Sequence, residues 1–96
     1  MSRFLLDQDA KNDLRGIQSR IARDRPNTSV RVVRQLRSTF QHLADFSEMG
    51  RQKLELGDER LRVFTSRGFT IIYRVGPSVT IIRVLARGRD VEGALE

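Results

Sequence analysis

The spacing of apolar residues changes once along this chain, and that change most constrains how it can fold. Ala10, Leu14, Ile17 and Ile21 recur at intervals of four, three and four residues, the stripe of an amphipathic helix over residues 8–24. Val30, Val33, Leu36 or Arg37, Phe40, Leu43 and Ala44 extend helical spacing through a second segment, residues 28–44. Past Gly50 the period becomes two. Leu61 and Val63 alternate with Arg60, Arg62 and Phe64, and further strands are predicted over residues 69–75 and 79–87. Ser66-Arg67-Gly68 and Gly76-Pro77-Ser78 separate these strands as turns, which suits an antiparallel meander. With the short apolar run Phe4-Leu5-Leu6 in front, the predicted order is β-α-α-β-β-β. The expectation is one α+β domain over residues 1–96, a helical hairpin packed on an antiparallel sheet.

The junctions carry their own signals. Asp7 is placed to cap the first helix, because its carboxylate can accept a hydrogen bond from a first-turn amide. Gly16 inside that helix costs about 1 kcal/mol relative to alanine, which predicts a close helix-helix crossing there. Pro26 disfavours a helical conformation at Arg25, so the chain should break there, with Asn27 or Thr28 capping the second helix. Phe46 to Arg51 reads as a turn with Gly50 at positive φ, and residues 52–59 read as irregular. Phe69, Ile71, Tyr73 and Val75 form one apolar sheet face. Ile72 and the Ile81-Ile82 pair imply that the opposite face is also covered, so a single helix layer leaves that side in need of a partner. Residues 91–96 form a short, weakly helical or frayed tail.

Charge narrows the partners. Eighteen basic against twelve acidic side chains give +6, and sixteen of the eighteen are arginine, whose planar fork matches phosphates and carboxylates. That surplus fits nucleic acid or an acidic protein equally well. No acidic residue occurs between Arg25 and Asp45, where Arg31 and Arg34, with Arg37 at the margin, mark the outer face of the second helix. The chain has no cysteine, which excludes disulfides, thiolate metal sites and a cysteine nucleophile. The apolar run near the N-terminus is three residues long, far short of a signal-peptide core, and no stretch has the length of a membrane span. A cytoplasmic protein with no membrane contact is expected.

The order of a helical hairpin followed by a three-stranded meander resembles the RelE/ParE toxin superfamily. Asp13-Leu14 with Ile17 and Ile21 resembles its first helix, and the stretch from Leu43 through Asp45-Phe46-Ser47-Glu48-Met49-Gly50-Arg51 its exit from the second. Leu61-Arg62 resembles the start of its first meander strand. Gly68 to Val75 and Ile82 to Asp90 are similar to the closing hairpin of the ParE-like members. The resemblance implies the toxin of a type II toxin-antitoxin pair that inhibits DNA gyrase by binding. It further implies neutralisation by a ParD-like antitoxin in a hetero-oligomer, with no cofactor and no direct DNA binding by the toxin alone.

The competing branch is RelE-like, a ribosome-dependent mRNA endoribonuclease; a basic nucleic-acid-binding module is a further alternative. RNA cleavage needs a group to activate the 2′-hydroxyl, one to protonate the leaving oxygen, and cations for the transition state. The strand positions that are basic in RelE fall on or near Leu61, Val63 and Thr70, and the tail holds neither tyrosine nor histidine. His42 belongs to the second helix and Tyr73 to an apolar sheet face. Asp7, Asp9 and Asp13 suit a helix N-terminus without any metal, and the remaining carboxylates show no metal spacing. A non-enzymatic toxin is expected, with no catalytic and no metal site. Arg60, Arg62, Arg74, Arg83, Arg87 and Arg89 are the candidates for binding target or antitoxin. Strand parity places Arg74 with Thr70 and Ile72, and Arg83 with Val79, Ile81, Leu85 and Arg87. Ion pairing with Asp45, Glu48, Asp58 or Asp90 is their alternative role.

Overall fold

Proline sets the start of the longer helix. In the computed structural model, which describes residues 3–86 and 93–95, α1 spans Gln8–Ala22 and α2 spans Pro26–Asp45. Arg25 is the N-cap of α2 and Pro26 stands in its first turn, so neither Asn27 nor Thr28 caps it. The missing proline N–H costs nothing there, since first-turn amides have no intrahelical acceptor. Asp7 does occupy the N-cap of α1, in an extended conformation, but its side chain bonds no amide. The Lys11 N–H instead donates to the Asp7 carbonyl at 3.0 Å.

The strands are β1 (Phe4–Leu6), β2 (Arg51–Gln52), β3 (Leu61–Ser66), β4 (Phe69–Arg74) and β5 (Val79–Ala86), with 3₁₀ turns at Leu54–Leu56 and Gly93–Leu95. They form one five-stranded sheet in the order β1-β5-β4-β3-β2. The antiparallel meander is present, yet the sheet is mixed: β1 runs parallel to β5, with Phe4 opposite Val79 and Leu6 opposite Ile81. The helical hairpin carries the chain from β1 across the sheet to β2 at the opposite edge, and the meander then returns it to place β5 beside β1. A second departure is β2, two residues within a segment expected to be a turn followed by irregular chain; Arg51 pairs with Val63 and Gln52 with Arg62.

One face of the sheet packs on the helices. Ala10, Leu14, Leu36, Phe40, Leu43 and Ala44 meet Ile71, Tyr73, Val79, Ile81 and Val84, and the Phe4 and Phe40 rings meet edge to face at 5.6 Å. Leu36 rather than Arg37 faces inward, and Val30, expected on the inner face, is half exposed. The other face carries a smaller cluster of Leu61, Ile72 and Leu85, against which Leu56, Ile82, Ala94 and Leu95 pack. The chain's own 3₁₀ turns therefore supply part of the cover expected from a partner.

A β-bulge in β5 disrupts the alternation on which the parity argument rests. Ile72 is opposite Arg83 while Tyr73 is opposite Ile81, leaving Ile82 without a partner in the register. Val79, Ile81 and Val84 thus share the helix-facing core, and Leu85 belongs to the opposite cluster. Arg83 does not share a face with Val79 and Ile81. The β3–β4 turn places both Arg67 (φ 53°) and Gly68 (φ 84°) in the left-handed region, the two-residue turn whose twist matches a hairpin.

Two glycines differ from expectation. A side chain at Gly16 would meet no atom within 4 Å, so no close helix crossing explains it. Gly50 has no positive φ. What it requires is space, because a Cβ there would lie 2.5 Å from the Tyr73 hydroxyl oxygen and 2.9 Å from the Val63 carbonyl oxygen.

Candidate interaction surface

Tyr73 stands near the end of β4, fully buried against the helices, and its hydroxyl reaches the loop that leaves α2. The Gly50 N–H donates to Tyr73 Oη at 2.8 Å, and the hydroxyl donates to the Ser47 carbonyl at 2.7 Å. Arg62 Nη1 donates to the Gly50 carbonyl at 2.7 Å, so the loop is held on both sides of one residue. Burial pushes the Tyr73 phenol above its ordinary pKa, against the smaller opposing influences of the Gly50 amide and the Arg62 charge. The phenol therefore stays protonated at neutral pH and serves as a pin. His42 is exposed on α2 with its ring 5.1 Å from that of Phe46.

The candidate arginines separate by what holds them. Arg83 donates from Nε to Asp13 Oδ2 at 2.7 Å and from Nη2 to Asp13 Oδ1 at 2.9 Å, and its Nη1 reaches the Ala94 carbonyl at 2.7 Å. Asp13 Oδ2 also accepts the Val84 N–H at 2.9 Å. β1 pairs with β5 only as far as Ile81, so this carboxylate takes the place of a neighbouring strand beyond it. The bond to Asp13 raises the pKa of Arg83 further above its already high value. Arg60 chelates Asp58 at the start of β3, with bonds of 3.2 and 3.1 Å, in an exposed position. That pairing, and a further bond from the Arg60 N–H, hold Asp58 below the usual carboxylate range.

Arg74 is partly exposed and opposite Leu61, on the sheet face away from the helices. Its charge is the smallest of the influences that lower the Asp58 pKa. Arg87 and Arg89 lie outside the described residues. Of the pairings anticipated for the candidates, Arg60 with Asp58 occurs; Arg83, which the bulge sets opposite Ile72 on the face away from the helices, takes Asp13 instead, past the point where β1 ends. The four candidate arginines among the described residues do not converge on one site. Among the described residues, Arg62 and Arg83 brace the fold, and Arg60 and Arg74 remain at the surface near the same end of β3 and β4.

Leu61 and Val63, two of the positions that are basic in RelE, are buried, and Thr70 is half-buried. No cluster of three or more histidine or carboxylate groups capable of holding a metal occurs among the described residues, and no described helix is long and apolar enough to cross a membrane.

Other surface features were not apparent from the sequence. Phe46, Met49 and Leu54 are exposed at 59%, 42% and 80%, all in the connection between α2 and β3. A groove of about 130 Å³ between α2 and the β3–β4 turn is lined by Val32, Leu36, Thr39 and Phe69, with Arg67 at its rim. The residues were visible in sequence, but nothing in their spacing distinguished these apolar side chains from core.

The family described as "ParE toxin of type II toxin-antitoxin system, parDE" matches residues 4–91. The chain belongs to the ParE toxin family. Among solved structures it resembles one described as "Chromosomal ParDE TA system from P. aeruginosa", with a TM-score of 0.75 and 19% sequence identity. The likeness covers 91% of this chain and 97% of the other, and at that identity it speaks for the fold. No curated protein matches the chain in sequence. A ParE toxin is thus built here on two helices and a mixed sheet, with its buried tyrosine and two of its candidate arginines committed to structure.

Proposed function

We propose that this ParE-family toxin arrests growth by binding DNA gyrase, without catalysing a reaction of its own, and that a ParD-like antitoxin silences it in a hetero-oligomer. On this reading both act in the cytoplasm, where gyrase is found. The observation that carries the proposal is the family match over residues 4–91. The side chains best suited to proton transfer support a binding mode, since Tyr73 is buried and doubly hydrogen-bonded and His42 lies on α2 with its ring tilted against that of Phe46. Antitoxin binding is supported by the exposed Phe46, Met49 and Leu54 and by the Arg67-rimmed groove, which together suit a segment that is apolar on one side and acidic on the other.

Arg60, Arg74, Arg87 and Arg89 are proposed as the contacts with target or antitoxin. Co-expression with the product of the adjacent reading frame tests the pairing: growth should stop with the toxin alone and resume with both. Pull-down of gyrase by tagged toxin tests the target, with Arg87→Ala and Arg89→Ala weakening capture. Toxin that arrests growth and cuts mRNA on translating ribosomes, while leaving gyrase unbound, would overturn the reading.

A further inference from the structure

The helical hairpin, residues 8–45, holds eight basic against four acidic side chains, +4 of the protein's net +6. Between residues 14 and 44 there are seven arginines and one acid, Asp24, and all seven arginines are exposed. The fold brings some of them together from both helices. A groove between α1 and α2 is lined by Lys11, Arg15 and Arg37, with Leu6, Leu14, Gln18 and Val33, and no carboxylate contributes to it. Arg34 and Arg31 follow one and two turns back along α2 and are likewise exposed. Among the described residues, no carboxylate pairs with Lys11, Arg15, Arg31, Arg34 or Arg37, whereas Arg60 pairs with Asp58 and Arg83 with Asp13. Arg15 touches only the Asn12 side chain, at a long 3.5 Å.

We infer that this outer face of the helical hairpin, centred on Lys11, Arg15, Arg34 and Arg37, binds the phosphate backbone of double-stranded nucleic acid. The family resemblance implies no DNA contact by the toxin alone; the convergence of cations from two helices points the other way. Arginine is suited to phosphate because its fork can donate two hydrogen bonds to one group. The composition of the face selects among polyanions. An acidic amphipathic protein segment needs accessible apolar anchors, yet Leu14 in the groove is buried and Leu6 and Val33 are partly so, and of the exposed large apolar side chains among the described residues only Val30 lies within the arginine-rich stretch. A single strand would need exposed aromatic rings for base stacking. The exposed phenylalanine, Phe46, follows the end of α2, beyond this face. A regular duplex needs neither, and it offers closely spaced phosphates to a rigid row of cations. The inference does not depend on the gyrase reading, since a toxin can inhibit gyrase with or without touching DNA.

The test is fluorescence anisotropy of a labelled duplex of about two helical turns, titrated with the full chain over a range of salt concentrations. Binding should weaken linearly in log salt, with a slope of roughly −3 to −4 for four phosphate contacts. Arg34→Glu should weaken binding about tenfold or more and make the slope shallower by about 1. Arg51→Glu changes net charge equally but lies on β2 at the far edge of the sheet, and should have a much smaller effect. Both positions are exposed, and circular dichroism checks that each variant is folded. No binding at low salt, equal losses in the two variants, tighter binding to single strand, or equal competition by polyglutamate would each overturn the inference. Gyrase inhibition that persists in Arg34→Glu would leave the proposed function standing.

Discussion

Asp13 on α1 and Arg83 on β5, separated by seventy positions in sequence, form a two-pronged ion pair at 2.7 and 2.9 Å whose carboxylate also accepts the Val84 N–H. This one aspartate joins the helical hairpin to the sheet and completes the hydrogen bonding of β5 where β1 ends. Arg83 extends the link to the Ala94 carbonyl, at the C-terminal turn that packs on the second apolar cluster.

Removing Asp13 should therefore cost more than removing a surface charge. The side chains of Arg83 and Asp13 are 20% and 15% exposed, so solvent screens them only in part. Asp13→Ala is expected to destabilise the fold by roughly 2–3 kcal/mol, somewhat below the loss for breaking a fully buried pair. Urea denaturation of the single variants and of the double variant with Arg83→Ala measures the coupling. Additive single losses would show that the two residues act separately.

The Tyr73 pin predicts two further losses. Tyr73→Phe leaves the Gly50 N–H and Ser47 carbonyl without their partner, at a cost of about 1–3 kcal/mol. Gly50→Ala sets a methyl against the same hydroxyl and the Val63 carbonyl oxygen, so it should cost a comparable amount by overpacking. Thermal melts of both variants check this, and a wild-type melting temperature in either would contradict it.

Alkaline pH should act through the same group. The phenol is raised in the folded state, so its contribution to stability is fully present below the unfolded value of about 10 and is lost as pH rises through the higher folded value. The chain has one tyrosine and no tryptophan, so ultraviolet absorbance follows this titration directly. Tyr73→Phe should abolish the tyrosinate signal and flatten that part of the stability curve.

Arg67 offers a gain rather than a loss. At φ 53° it holds a left-handed conformation that asparagine adopts more readily, and Gly68 follows it in the same turn. Arg67→Asn should stabilise the hairpin by about 0.5–1 kcal/mol, read as a raised denaturation midpoint. A lowered midpoint would show that the arginine side chain contributes contacts of its own.

Much of this architecture was legible because apolar spacing reports burial. The helical spacing over Ala10 to Ile21 and over Val33 to Ala44, and the period of two over Phe69 to Val75, mark both helices and the meander, although Val30, expected on the inner face, is half exposed. Pairing was less accessible. Nothing in Phe4-Leu5-Leu6 says that it lies parallel to Val79-Thr80-Ile81, because direction depends on where the meander returns the chain. The extra Ile82 in β5 is equally silent, since a bulge forms only against a partner strand, and it moves Arg83 from the face of Val79 and Ile81 to that of Ile72 and Leu85. Gly50 was recognised as special for the wrong reason: Tyr73, twenty-three residues away, needs the space. Arginine composition identified a basic protein, but only tertiary structure separated bracing arginines such as Arg62 and Arg83 from exposed ones.

The central claim is that this ParE-family toxin disables gyrase by binding it. The most direct measurement is supercoiling of relaxed plasmid by purified gyrase during titration with purified toxin. Supercoiling should fall as the toxin approaches stoichiometry with gyrase, and the adjacent antitoxin should restore it. Undiminished supercoiling with folded toxin in large excess, at doses that arrest growing cells, would contradict the account.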